Sequence, residues 1–471
     1  MKFTGAKIFT ALFLLVCALP FIGMFVRPTT ETLGNSAPAG RPVLVRGDGS
    51  FDTDYAKKLG DYIEDRLFLR AEMITADAWL KETLFGISSK ESVITGTDGW
   101  LYYEATLDDY QHTGALSDRA LFNAAHNLKL MQDYTELLGK KFLFAAAPNK
   151  NSLYPEHMPA RYQTRENEKS DAERFAAFLE KEGVHSLDLF RLFAEQDEVL
   201  YYARDSHWNE KGAVLVYNAM LDALGIAHED YADVIPAETR DYIGDLAKML
   251  YPAGSEPETR LHYLEPSWEY LTDTVSPEEN YIRTANASGK AKLLMYRDSF
   301  GNSLLPYLAE HFEEAVFSRV VPYTMTELVT TGADVLIVEK VERHLPTLAE
   351  IAPVMSAPVR DPAVLGEALS GRNAEAALPE VETVPGYHVI KGTLNQEQAV
   401  PDMDTPILCL VRDAEKTILY EVFCVTIDNN DFGYTAYISD LGISGDIGEA
   451  RVYARSGGDW KEYAEYGDIS E

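Results

Sequence analysis

Apolar residues run almost without a break from Ile8 to Val26, interrupted only by Thr10, Pro20 and Gly23, and no later stretch is as long or as apolar. About nineteen residues at ~1.5 Å each approach the hydrocarbon thickness of a bilayer. Lys2 and Lys7 precede the run, so the cationic end should stay in the cytoplasm and everything after Arg27 should lie outside it. Residues 1–28 are therefore expected to form a signal-anchor transmembrane helix. A cleaved signal peptide shares the basic start and apolar middle, and would leave a secreted protein. No small-residue cleavage site directly follows Val26, although Ser36, Ala37 and Ala39 could serve, so the uncleaved anchor is preferred. Cys17 follows Val16 where a lipoprotein signal wants a small residue, which argues against lipidation.

Beyond the anchor the pattern changes in kind. Thr29 to Gly49 is rich in Pro, Gly, Thr and Arg without an apolar period and reads as an exposed stalk. Leu59, Tyr62, Ile63, Leu67, Met73 and Ile74 then recur at helical spacing, so 29–84 is a stalk leading into one or two amphipathic helices. From 85 to 369 short apolar runs alternate with helical patterns, the signature of an α/β sheet with covering helices. The strands are expected at Phe142–Ala147, Val184–Leu189, Ala291–Tyr296, Ala315–Val320 and Val335–Val338. Helices are expected at Ala120–Leu138, Asp171–Glu182, Lys211–Leu224 and Ser303–Phe312. Small, acidic and Pro-containing residues at 370–384 suggest a linker. Alternating β-type runs over 385–471 then fit a small antiparallel β-sandwich.

Composition narrows the partners. Against 42 Lys and Arg stand 75 Asp and Glu, a formal net charge of −33. Such a surface repels nucleic acid and gives no polybasic foothold on anionic lipid. Only Cys409 and Cys424 would remain outside the membrane, with no Cys-x-x-Cys pairing, so no metal or other cofactor is expected. Hairpin pairing about Asp413–Lys416 would set Cys409 opposite a residue near Leu419, which favours buried free thiols over a disulfide.

Two polar segments fall where strands should end. One is Asp205-Ser206-His207-Trp208-Asn209, after Leu200-Tyr201-Tyr202; the other is Arg297-Asp298-Ser299-Phe300-Gly301-Asn302, between a strand and a helix. A serine hydroxyl is a poor nucleophile until an imidazole takes its proton, and that imidazole needs a carboxylate to fix its tautomer. Ser299 at a strand-to-helix turn could use helix-start amides for the developing oxyanion, and Gly301 lets the backbone pass close to a substrate. Asp205 and His207, two apart, leave the same face of an extended loop. The plainer alternatives are a helix cap at Asp298-Ser299 and a water-binding Asp-x-His pair.

Four motifs then occur in a recognisable order: Gly96-Thr97-Asp98-Gly99-Trp100-Leu101-Tyr102; Ala147-Pro148-Asn149-Lys150 with Tyr154-Pro155-Glu156; Asp205-Ser206-His207-Trp208; and Asp298-Ser299-Phe300-Gly301. Together with Ala333-Asp334-Val335-Leu336-Ile337 and Glu342-Arg343, this order resembles the DHHW and alginate O-acetyltransferase branch of the SGNH hydrolase superfamily, over about Tyr55 to Leu345. The resemblance implies an SGNH-like (flavodoxin-like) parallel sheet, a Ser299–His207–Asp205 triad with the Asp-x-His pair preceding the serine, and Asn149 and Lys150 lining the pocket or ending a strand. Trp208 is either a sugar-stacking platform or core packing. Arg297 stands where ordinary members have Gly, as an aid to an anionic intermediate or as a surface salt bridge, and Ser206 stands at the second His of the Asp-His-His-Trp pattern.

Related enzymes acetylate exported polysaccharide, usually beside a membrane-bound O-acyltransferase that passes the acyl group outward. The resemblance therefore implies serine-dependent O-acetyl transfer to a polysaccharide acceptor on the outer face of the cell membrane. The alternatives are a carbohydrate acetylesterase using the same triad and a non-catalytic envelope scaffold. The C-terminal β unit would be a carbohydrate-binding or partner-docking module, or a structural appendage.

Overall fold

A computed structural model describes residues 5–27, 38–47, 49–273, 276–370, 380–396, 400–445 and 447–467. Residues 29–37 and 48 of the expected stalk, Ser36 and Ala37 among them, and most of the linker lie outside these residues. The apolar run forms one helix, Gly5–Gly23, long and apolar enough to cross a membrane by length and composition. The amphipathic segment is two helices, Tyr55–Glu64 and Arg70–Phe85. Between them the Phe68 N–H donates to Pro20 O at 3.1 Å, which ties the second helix to the end of the apolar one.

The central sheet has seven strands in the order Ser186–Leu187, Lys141–Ala147, Val335–Val341, Lys292–Tyr296, Glu314–Ser318, Tyr281–Ala285 and Glu269–Tyr270. The first five are mutually parallel; the last two add antiparallel. Parallel strands are covered on both faces, which explains near-continuous apolar runs such as KFLFAAA and KLLMY. Alternate residues part to opposite sides. Leu143, Leu293, Met295 and Ile337 pack with Trp208, Val216 and Leu308 on one face, while Phe142, Phe144, Leu294 and Leu336 pack with Leu128 and Phe175 on the other.

The expected strand at Val184–Leu189 shrinks to two residues, because Asp188 accepts from the Arg191 N–H and starts the helix Leu189–Ala194. The helix expected from Ser303 begins at Leu305, after a three-residue 3-10 turn at Phe300–Asn302.

The C-terminal β unit consists of two antiparallel sheets sharing the long strand Thr417–Ile427. Its first half pairs with Ile407–Arg412 and Val359–Arg360, its second half with Asn430–Ser439. Their common core holds Ile390, Cys409, Val422, Cys424, Tyr434 and Val452. The unit thus recruits Val359–Arg360 from before the expected boundary, and Glu380–Val384, expected as linker, is a strand paired with Tyr387–Thr393. Cys409 lies opposite Tyr420, one residue from the sequence expectation, and both thiols are buried and free. The helix Asp118–Leu137 fills the space between this unit and the central sheet: Asn127 Nδ2 donates to Cys424 O at 2.8 Å, and Arg119 donates to Thr405 O at 2.7 Å.

Candidate active site

The parallel strands end on one edge of the sheet, where open α/β folds place their ligands. Strand Lys141–Ala147 delivers Asn149 and Lys150 there, Lys292–Tyr296 delivers Ser299, and Val335–Val341 delivers Glu342 and Arg343.

Ser299 has φ −71° and ψ −21°, and its side chain makes no capping bond. The capping role falls to Asp298, whose carboxylate accepts from the Phe300 N–H at 3.0 Å and the Val341 N–H at 2.7 Å, binding the serine turn to the adjacent strand. The hydroxyl of Ser299 is thereby left to His207, whose Nε2 lies 2.8 Å away.

The second segment is a tight loop closed by an antiparallel bridge between Tyr201 and Trp208. Its geometry differs from the extended loop expected. Asp205 Oδ1 accepts from the His207 backbone N–H at 2.9 Å and also lies 2.7 Å from His207 Nδ1, so an Asx turn presents the carboxylate to the ring. Asp205 Oδ2 accepts from the Tyr242 hydroxyl and the Asp245 N–H, both at 2.7 Å. Burial opposes the charge on Asp205, yet the adjacent imidazole and these donors hold its carboxyl well below the usual range. The same balance raises His207: burial resists its protonation, and Asp205 more than offsets that.

Lys150 does not line a pocket. It is buried, and its ammonium donates to the carbonyls of Tyr202, Ala203 and Asp205 at 3.1, 2.9 and 2.5 Å, pinning the loop from beneath. Burial lowers its pKa to about 8. Asn149 is also buried; its N–H donates to Glu342 Oε2 at 2.8 Å, its Nδ2 to Asp109 Oδ2 at 2.8 Å, and its Oδ1 accepts from Arg343 at 3.3 Å. Burial, with Asp171 and Asp108 nearby, pushes Asp109 up to about 6, and burial together with the Asp109 charge pushes Glu342 up to about 8.

Of the two readings of Trp208 core packing is the one observed, and the expectations for Arg297 and Gly301 are corrected. Trp208 is 1% exposed, stacks on Phe193 and donates to Ser303 Oγ, so it is core and offers no face to a sugar. Arg297 forms no surface salt bridge; it is 2% exposed and donates to the Asp298, Pro277 and Glu279 carbonyls and to Asn302 Oδ1. Gly301 is required by that arginine, since a Cβ there would stand 2.7 Å from Arg297 Cδ.

Asp245, which sequence reasoning missed, and Arg343, which entered only through the family resemblance and without a role, complete the site. Asp245 accepts from the Ser206 N–H at 2.8 Å, and its carboxylate lies 3.7 Å from His207 Nδ1. A Cβ at Gly244 would come within 2.3 Å of Arg204 O, so the chain reaches this position only with glycine before Asp245. Arg343 lies 5.6 Å from the Phe300 ring, which in turn sits 4.8 Å from the His207 ring. Asp241–Asp245 carries no periodic or motif signal, and Arg343 becomes legible only once its strand is known to adjoin that of Ser299. Ligand atoms of Asp205, His207 and Asp245 cluster within 4.8 Å, but the donors already on Asp205 leave this group poorly suited to a metal.

A hydroxyl, an imidazole and an ionised carboxylate in series, at the carboxyl edge of a parallel sheet, have the form of an SGNH-type site. The match of a family model described as "SGNH hydrolase-like domain, acetyltransferase AlgX" covers residues 93–291, including Asp205 and His207 and stopping before Ser299. Two curated relatives carry the name "Probable alginate O-acetylase AlgJ". That of Pseudomonas syringae pv. tomato is 29% identical over 175 residues, 34% of this chain and 42% of that protein. That of Pseudomonas aeruginosa is 27% identical over 244 residues, 49% of this chain and 57% of that protein. The chain thus spans about half the length of the curated relatives it matches. A crystal structure of a DHHW family protein from Eubacterium siraeum is 16% identical, with 54% of this chain and 91% of that chain covered and a TM-score of 0.41.

Proposed function

We propose that this chain is a membrane-anchored, extracytoplasmic O-acetyltransferase that acts on a polysaccharide through Ser299, with His207 as base and Asp205 as the carboxylate that orients it. The observation that carries this reading is the unbroken series from Asp205 Oδ1 to His207 Nδ1 at 2.7 Å and from Nε2 to Ser299 Oγ at 2.8 Å. The names of the relatives, alginate O-acetylases, support acetyl transfer and a polysaccharide acceptor.

In the first half-reaction His207 Nε2 takes the proton of Ser299 as Oγ bonds to the donor's acetyl carbon, and the imidazolium returns that proton to the leaving group. In the second, a sugar hydroxyl gives its proton to His207 while its oxygen bonds to the acetyl carbon, and Ser299 leaves with the proton restored. The oxyanion formed in each half is met by the Ser299 N–H, with the Arg343 guanidinium as the nearby positive charge. A membrane-bound O-acyltransferase is the partner that would supply the acetyl group outside the membrane. Water in the second half-reaction would make the same site an acetylesterase.

The test is covalent labelling by a sulfonyl fluoride followed by peptide mass mapping. A sulfonyl adduct on Ser299, absent in Ser299→Ala and in His207→Ala, is expected. Failure of the wild type to react, together with unchanged polysaccharide acetylation in cells carrying Ser299→Ala, would leave the scaffold reading instead.

A further inference from the structure

A second concavity lies on the other side of the loop that carries Asp205. It is a cleft of about 1200 Å3 between the helix Arg70–Phe85, the turn at Asp98-Gly99, the strap Val199–Arg204 and the hairpin formed by Ala237–Tyr242 and Glu258–His262; neither Ser299 nor His207 lines it. Its volume exceeds the roughly 300–1,000 Å3 of an ordinary small-molecule site, which suits a run of linked units.

The lining is aromatic and polar together. Trp79 lines it and is 62% exposed, a large and mostly open indole surface. Tyr251 forms a second aromatic wall, held by its hydroxyl on Glu82, with the Arg204 guanidinium 5.3 Å from its ring. Arg204 Nε is buried without a hydrogen-bond partner. Flat aromatic faces that match the C–H face of a pyranose, ringed by charged donors and acceptors, are the chemistry of carbohydrate recognition; a lipid tail would want neither the carboxylates nor the guanidinia.

Charge selects among carbohydrates. Glu72, Glu82, Asp98, Glu256 and Glu258 face Arg204 and Arg240, five carboxylates against two guanidinia, on a chain of net charge −33. A polyuronate would be repelled from such a wall.

We propose that this cleft binds a segment of a polysaccharide whose units are neutral or carry free amino groups, in a subsite separate from the serine. The inference rests on the reading above that the protein handles a polysaccharide, and it narrows the class of that polymer. The strap joins the two sites: Glu258 accepts from the Ala203 and Arg204 N–H groups at 2.9 and 3.2 Å on the cleft side, and the next residue is Asp205. A bound chain therefore lies against the backbone that orients the base.

Tryptophan fluorescence of the full chain in detergent micelles, titrated with short oligomers of glucose, N-acetylglucosamine, glucosamine and uronic acid, tests this. Saturable quenching is expected with neutral or amino-sugar oligomers, with binding about tenfold weaker in Trp79→Ala and restored towards wild type in Trp79→Phe. Tighter binding of the uronate oligomer would overturn the assignment of class, and no response to any of the four would overturn the site. Sulfonyl labelling of Ser299 in the same samples separates the two readings: labelling without glycan binding removes the cleft alone, and glycan binding without labelling removes the serine chemistry alone.

Discussion

Asp205 receives four donors on two oxygens, so replacing it by asparagine is a sharp perturbation with an almost unchanged shape. One oxygen becomes an NH2 group, and two of the four donors, either the pair from His207 or the pair from Tyr242 and Asp245, then face hydrogen rather than a lone pair. Each lost bond to a charged acceptor is worth ~1.5–3 kcal/mol, so two amount to ~3–6 kcal/mol. If the amide turns its NH2 to the ring, Nδ1 becomes the acceptor and Nε2 carries the proton, which is the wrong tautomer to activate Ser299. If it turns the NH2 to Tyr242 and Asp245, the ring keeps an acceptor, but the imidazolium loses the negative charge opposite it and the loop loses two ties. A transition-state loss of ~3–6 kcal/mol corresponds to roughly 10²- to 10⁴-fold in kcat/KM. Hydrolysis of a nitrophenyl acetate measures it, with circular dichroism to confirm the fold. Tyr242→Phe removes one donor and, at ~1.5–3 kcal/mol, should cost about tenfold to a hundredfold. A folded Asp205→Asn protein within about tenfold of wild type would refute the assignment of Asp205 as the orienting carboxylate.

Four other outcomes follow from the same geometry. His207 acts as a base only when neutral and its pKa is raised, so the ascending limb of the pH–rate profile should have its midpoint above 6.5; a midpoint below that value would contradict the pairing with Asp205. Lys150→Met strips three carbonyls of their shared donor and should cost ~2–4 kcal/mol of stability, read by chemical denaturation, together with a large loss in kcat. Gly301→Ala drives a methyl against Arg297 and should lower stability by ~1–3 kcal/mol, whereas Gly99→Ala, with nothing near its Cβ, tests only the cost of a positive φ. His126 lies 2.9 Å from Glu182 and 3.0 Å from Glu421; burial opposes its charge, but these carboxylates lift its pKa from 6.5 to about 10. A raised folded pKa gives stability that is fully present below 6.5 and lost as pH rises through about 10, so denaturation midpoints should fall over that window and the fall should vanish in His126→Gln.

The sequence was informative where one physical requirement dominates. Residues 293–296 and 335–338 had to be buried on both faces, and their unbroken apolar runs showed it, while Glu339 and Lys340 hid the rest of the second strand. Ser299 stood out because it follows the strand Lys292–Tyr296. The strand expected at 200–202 is only the single bridge Tyr201–Trp208, and Asp205 and His207 stood out by their motif alone. Glu269–Tyr270 was missed because it is a two-residue edge strand, and Tyr281–Ala285 because it has a polar, exposed residue at its centre, Arg283. Asp459–Gly467 likewise alternates polar and aromatic residues at an edge of the β unit. Lys150 and Arg297 misled for a different reason. A long cation reads as a surface or ligand-binding group, yet both were consumed by backbone oxygens that only the folded loops bring together. Asp245 reaches the imidazole across 38 positions in sequence, a pairing that one chain without its fold does not disclose.

The helix Asp118–Leu137 is buried along most of its length, gripped by the central sheet on one side and by the C-terminal strands on the other. Removing those strands would strand Phe122 and the charged His126 in water, without the Glu421 carboxylate that answers the imidazolium. The β unit is consequently a wall of the protein's own interior, and the two halves should melt together in one calorimetric transition. A hybrid that grafts a foreign module in its place would have to rebuild that wall before it could recover a working serine.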